Sequence, residues 1–106
     1  MRRVVITGIG IVSCIGNNTN EVLDSLLKTK SGIVFSEDHK KYKFRSQVVG
    51  AVKNLNLSEH IHRKQLRFMG DGSAYNYIAM KDAIKDSGLE EKEVSNNNTG
   101  IIMGSG

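Results

Sequence analysis

Apolar and polar positions follow two different periods along this chain. Val4, Val5 and Ile6 form a β-branched run, Gly8 and Gly10 flank Ile9, and Ile11 and Val12 lead to Ser13. A continuous β-branched run punctuated by glycine predicts a strand buried on both faces, of the kind a parallel sheet needs. Residues 99–103 predict a second such strand. Between them the period becomes helical. Asn18 and Glu21 have capping-box spacing, with Glu21 reaching back to the cap, and Val22, Leu23, Leu26 and Leu27 share one face. This predicts a helix over 19–29 that Gly32 ends. Leu66, Met69, Ser73, Tyr77, Met80 and Ile84 recur at three and four, predicting a helix over 65–87 that stops at Ser87 and Gly88. Gly70 and Gly72 each weaken a free helix by about 1 kcal/mol, so tight packing or an irregular start is expected there.

The remaining segments are shorter. Strands are predicted at 33–35 and 46–52, with Gly50 at a bulge or close approach. Residues 36–43 are polar and read as a surface loop, Ser58 as the cap of a short helical piece, and 96–98 as a turn. A strand, a glycine turn and a helix in that order open an α/β unit. Both end strands look doubly buried, yet few helices are available to cover them. The expectation is an incomplete amino-terminal piece of a larger α/β domain, spanning 1–106 without an internal boundary.

Composition narrows the class. Hydrophobic residues make up 39% and charged residues 25%, which suits a soluble globular protein. The single cysteine, Cys14, excludes an internal disulfide and makes a reducing, cytoplasmic setting the expectation. Arg2 and Arg3 before an apolar run imitate a signal peptide, but Thr7, Gly8, Gly10 and Ser13 interrupt the run. No apolar stretch approaches the roughly 20 residues of a membrane span.

Candidate chemistry is sparse. Gly8 and Gly10 begin a dinucleotide pattern, but the third glycine position holds Ser13 and no helix starts there. The competing reading gives these glycines a close backbone approach in a bent strand. Cys14 lies in a turn, several residues before the helix cap, and reads as a small buried cysteine rather than a nucleophile. His39, His60 and His62 read as solvated, because i and i+2 diverge on a helix and no third ligand is near. No metal or organic cofactor is expected. The net charge of +4 matters where it clusters: Lys40, Lys41, Lys43 and Arg45, then Arg63, Lys64 and Arg67. Arg63 and Arg67, at i and i+4, share a helical face. A solvated face is the plain reading of both clusters. Tyr42 and Phe44 interleave with the first as a stacking surface for single-stranded nucleic acid would, though no nucleic-acid motif accompanies them.

Val-Ile-Thr-Gly-Ile-Gly-Ile-Val-Ser over residues 5–13, followed by Ile-Gly-Asn-Asn over 15–18, resembles the amino terminus of the β-ketoacyl-acyl carrier protein synthases, most of all the type I enzymes. The likeness continues through Lys30-Ser31-Gly32-Ile33, Arg45-Ser46, Arg63-Lys64, Arg67-Phe68-Met69 and the closing Gly104-Ser105-Gly106, covering nearly the whole chain. Lys30 departs from the family's usual arginine and keeps its charge. The resemblance implies the amino-terminal part of a thiolase-like α/β fold, with layered helices and a mixed sheet. It implies a homodimeric enzyme that condenses an acyl thioester with malonyl-acyl carrier protein, releasing carbon dioxide. The family's nucleophilic cysteine and two histidines would lie beyond residue 106, so no catalytic residue is expected here. Arg45, Arg63, Lys64 and Arg67 match residues that dock the acidic carrier protein. The type II synthases, the polyketide condensing enzymes and a small basic binding module are the alternatives; neither nucleic acid nor membrane is the expected partner.

Overall fold

Local capping and close backbone contact, more than sheet formation, organise the observed structure. The computed structural model describes residues 2–104, so Ser105 and Gly106 of the closing motif lie outside the described residues. The chain divides into two units: Ile11–Asn56, and the residues up to Gly10 together with those from Leu57 onward.

In the first unit, a Ser13–Gly16 bridge makes a tight turn before helix α1, Thr19–Leu27. Asn18 caps it as predicted, its side chain accepting the Glu21 N–H at 3.0 Å. Glu21 reaches back one residue further than predicted, accepting the Asn17 N–H at 2.8 Å. The buried face is Val22 and Ser25, whose hydroxyl donates to the Ile15 carbonyl at 2.6 Å; Leu23, Leu26 and Leu27 are exposed. The helix ends at Leu27 with Lys28 as its C-cap, short of the predicted Gly32 stop. The Lys30 N–H donates to the Ser25 carbonyl at 2.8 Å and the Thr29 N–H to the Leu26 carbonyl at 3.1 Å, the paired bonds of a Schellman stop. Thr29 occupies the left-handed position of that motif, at φ 52°, where glycine is usual.

Strand β1, Ile33–Phe35, pairs antiparallel with β2, Val48–Gly50, placing Val34 opposite Val49. Among the described residues these two strands form the sheet, in place of the expected parallel one. The predicted loop at 36–43 contains a helix, α2, Glu37–Lys41. Ser36 caps it, accepting the His39 N–H at 3.2 Å, with Glu37 and Asp38 in its first turn and Lys40 and Lys41 in its last. This charge order favours a helix despite the absence of an apolar face.

The second unit contains α3, Leu57–His60, α4, Arg63–Leu66, α5, Asp71–Ser87, and α6, Glu91–Val94. Ser58 lies inside α3 rather than capping it. The predicted helix over 65–87 is broken: Gly70 is the N-cap of α5, so the irregular start falls at the glycines. An added Cβ on Gly70 or Gly72 would meet nothing within 4 Å, so neither glycine makes room for a neighbour. Gly88 ends α5 at φ 68°, as its position predicts. Ile61, Ala74 and Ile78 are the buried apolar side chains.

Residues 3–11 and 99–103 are not strands here. Val4, Val5, Ile6, Ile101 and Ile102 are exposed, in keeping with runs suited to burial on both faces in a chain with too few helices to cover them. A strand needs hydrogen-bonding neighbours on its edges, and the described residues supply none to these runs. The glycines of the opening run do have a partner. Gly8 lies against the Ala83 carbonyl and Ser87, and Gly10 against the Ala79 carbonyl, leaving no space for a Cβ. The Ile9 N–H donates to Asp86 Oδ2 at 2.9 Å. The close-approach reading of Gly8 and Gly10 therefore holds, and their contact is with helix backbone.

Candidate functional site

The second basic cluster is built on α4 and the turn that follows it. His62, read as solvated, has a structural role: its Nδ1 accepts the Lys64 N–H at 3.2 Å and caps the helix. Histidine is outside the usual N-cap set, which is why sequence reasoning missed it. Arg67 is the C-cap, with right-handed helical backbone (φ −61°, ψ −17°), and its N–H donates to the Arg63 carbonyl at 3.3 Å. The i, i+4 relation of Arg63 and Arg67 thus survives at the end of a single helical turn. Arg63, Lys64 and Arg67 are all exposed. The Arg67 guanidinium stands over the Phe68 ring, with Cζ 4.5 Å from the ring centroid. Adjacent Arg and Phe were the available signal for that pair, which sequence reasoning did not use.

Arg45 belongs to the other unit, exposed in the loop between α2 and β2. The lysines before it are partly engaged by rings. Lys40 Nζ lies 5.9 Å from the Phe35 ring centroid and Lys41 Nζ 5.4 Å from that of Tyr42. Phe44 meets His39 edge-on at 4.9 Å, and His39 Nδ1 stands 3.3 Å from the Ser46 carbonyl oxygen. His39 therefore holds its loop together rather than standing free in solvent.

Cys14 is a packing residue. An added Cβ at Gly32 would fall 2.7 Å from its Sγ, and one at Gly50 would fall 3.1 Å away. The thiol is half-buried within the 13–16 turn, with the α1 cap several residues later. It lines an open polar pocket of about 290 Å³ with Ser25, Lys30, Lys53 and others. Asn17 borders the same pocket, its amide donating to the Lys53 carbonyl at 2.6 Å while its carbonyl oxygen is enclosed without a partner. An apolar groove of about 580 Å³ runs along α5, lined by Met69, Tyr77, Met80 and Ile84 with Ile101 and Met103. Among the described residues, no group of three His, Cys, Asp or Glu side chains is placed to hold a metal ion. No helix there is long and apolar enough to cross a membrane.

A turn rich in glycine, a packed cysteine and a basic helical turn are the features these elements position. Comparison with known proteins gives these features a family. The sequence profile of the family described as "Beta-ketoacyl synthase, N-terminal domain" matches residues 1–106, and the chain belongs to this family. It is 55% identical to the 3-oxoacyl-[acyl-carrier-protein] synthase 1 of Haemophilus influenzae over 106 residues, all of this chain and 26% of that protein. It is 50% identical to the synthase 1 of Escherichia coli K12 over 107 residues, again 100% of this chain and 26% of the relative. The synthase 2 of Vibrio harveyi is 36% identical over 105 residues, 99% of this chain and 25% of that protein. The likeness is thus stronger to the type 1 relatives, as the residue motifs imply. The chain spans about a quarter of the length of these curated relatives.

Proposed function

We propose that residues 1–106 are the amino-terminal part of a single thiolase-like domain, in a complete protein that is a cytoplasmic, homodimeric 3-oxoacyl-acyl carrier protein synthase of fatty acid biosynthesis. The observation that carries this is identity of 50–55% to synthase 1 relatives across the whole chain. In the complete enzyme, a cysteine takes the acyl group as a thioester. Two histidines assist loss of carbon dioxide from the malonyl group and stabilise the enolate and oxyanion that form. Those three residues lie outside 1–106. Cys14, packed against Gly32 and Gly50, is not the acyl acceptor.

The part played by this region is docking. Arg63, Lys64 and Arg67 present positive charge from one helical turn, with Arg45 on its own loop, to acyl carrier protein, an acidic partner. Exposed charges of this kind contribute roughly 0.2–1 kcal/mol each, and act mainly on encounter rate and partner choice. The test is condensation by the complete protein bearing this sequence, supplied with acyl- and malonyl-carrier protein. A 3-oxoacyl product from the complete protein, and none from residues 1–106 alone, is expected. Product formation by residues 1–106 that Cys14→Ser abolishes overturns the assignment.

A further inference from the structure

Phe68 sets Arg67 apart from the rest of its cluster. The ring is 78% exposed and lies at the surface beside the also exposed Arg67. Two successive turns fix the backbone beneath it: the Phe68 N–H donates to the Gln65 carbonyl and the Met69 N–H to the Leu66 carbonyl, both at 3.0 Å. With the backbone held, the Arg67 guanidinium lies over the ring at 4.5 Å. A guanidinium held by its face keeps its N–H donors around its edge, where they match the two oxygens of a carboxylate. Holding the long side chain in place beforehand also reduces the rotamer entropy lost on binding.

We infer that Phe68 is a positioning residue for carrier-protein docking, a platform that holds Arg67 ready to grip a carboxylate of the acidic partner with two hydrogen bonds. This rests on the docking reading proposed above. It makes Arg67 the anchor of the cluster, with Arg63 and Lys64 supplying longer-range attraction.

The experiment uses the complete synthase bearing this sequence and purified acyl carrier protein, measuring affinity together with turnover of a small acyl-thioester lacking the carrier. Phe68→Leu is expected to weaken carrier affinity about two- to fivefold, the scale of an exposed cation–π contact. Phe68→Tyr, which keeps the ring, is expected to retain it. In an Arg67→Ala background, Phe68→Leu is expected to add nothing, because the ring acts through the guanidinium. Turnover of the carrier-free thioester is expected to stay unchanged. If Arg67→Ala weakens binding while Phe68→Leu does not, the platform is overturned and docking stands. If Arg67→Ala itself has no effect, Arg67 is no anchor and the inference is overturned; the docking reading fails only if Arg45, Arg63 and Lys64 can also be replaced without effect. Equal losses with and without the carrier make Phe68 a folding residue and overturn the inference.

Discussion

Gly10 lies against the Ala79 carbonyl with no room for a side chain between them. Gly8 repeats the contact one helical turn along α5, at Ala83. The residues these glycines meet, Ala79, Ala83 and Ser87, are small and spaced by four, so they line one face of the helix. Gly10→Ala must displace backbone, and a loss of about 1–3 kcal/mol or more in the complete protein is expected from chemical denaturation. Gly72→Ala, in open space within α5, is expected to move stability the other way by up to about 1 kcal/mol. Equal effects from the two would mean that crowding at Gly10 is not what matters.

Thr29 occupies the position at the end of α1 that normally falls to glycine. A β-branched residue at φ 52° is strained. Thr29→Gly relieves that strain while keeping both backbone bonds of the stop. A gain of about 0.5–1 kcal/mol is expected, the left-handed penalty of roughly 1–2 kcal/mol less the added freedom of the unfolded chain. A lower midpoint of thermal unfolding would show that the Thr29 hydroxyl, which donates to the Lys28 carbonyl at 2.8 Å, matters more than the backbone.

Asn18→Ala removes the acceptor for the Glu21 N–H. The expected loss is about 1 kcal/mol, within the usual span for an N-cap. Glu21→Ala removes the neighbouring bond to the Asn17 N–H. Since the two serve the same helix start, the double variant is expected to fall short of the sum of the singles, which a double-mutant cycle measures.

Reversing Arg63 and Arg67 to Glu sets like charge against an acidic carrier. The apparent KM for carrier-linked substrates is expected to rise about tenfold, with slower association, while a carrier-free thioester reacts as before. Added salt is expected to slow the unmodified enzyme on carrier-linked substrate, since screening acts over roughly 8 Å near physiological ionic strength. No change with either substrate would return the cluster to a plain solvated face.

Residues 1–106 alone expose Ile102 at 98% and Val4 at 93%. Binding of a hydrophobic dye and self-association are therefore expected of the isolated chain. A monomeric, dye-negative preparation with a cooperative thermal transition would contradict this.

What could be read in advance follows the range of the interactions. The Asn18 cap and the Gly88 stop depend on residues within a turn or two, and they appear as predicted; the short strand at 33–35 appears too, because its partner at 48–50 lies within the same unit. Strands at 3–11 and 99–103 require partners along both edges, which a local pattern does not specify, and the β-branched runs remain unpaired here. Helix α2 was missed because charge order and a Ser36 cap sustain it without an apolar stripe. The i, i+4 face of Arg63 and Arg67 was legible from spacing alone. Its supports were not: His62 caps outside the usual residue set, and Phe68 shows its use only once the backbone turn places it beside Arg67.

The hydrogen bond from the Ile9 N–H to Asp86 spans 77 positions of sequence. During synthesis the opening segment leaves the ribosome long before α5 exists to receive it. At about 5–20 residues per second, the interval is roughly 4–15 s. Throughout that time Gly8, Ile9 and Gly10 lack the helix they pack against, and Val4, Val5 and Ile6 stay exposed even after it forms. Chaperones that bind short apolar segments therefore have their longest opportunity at the first ten residues of this chain.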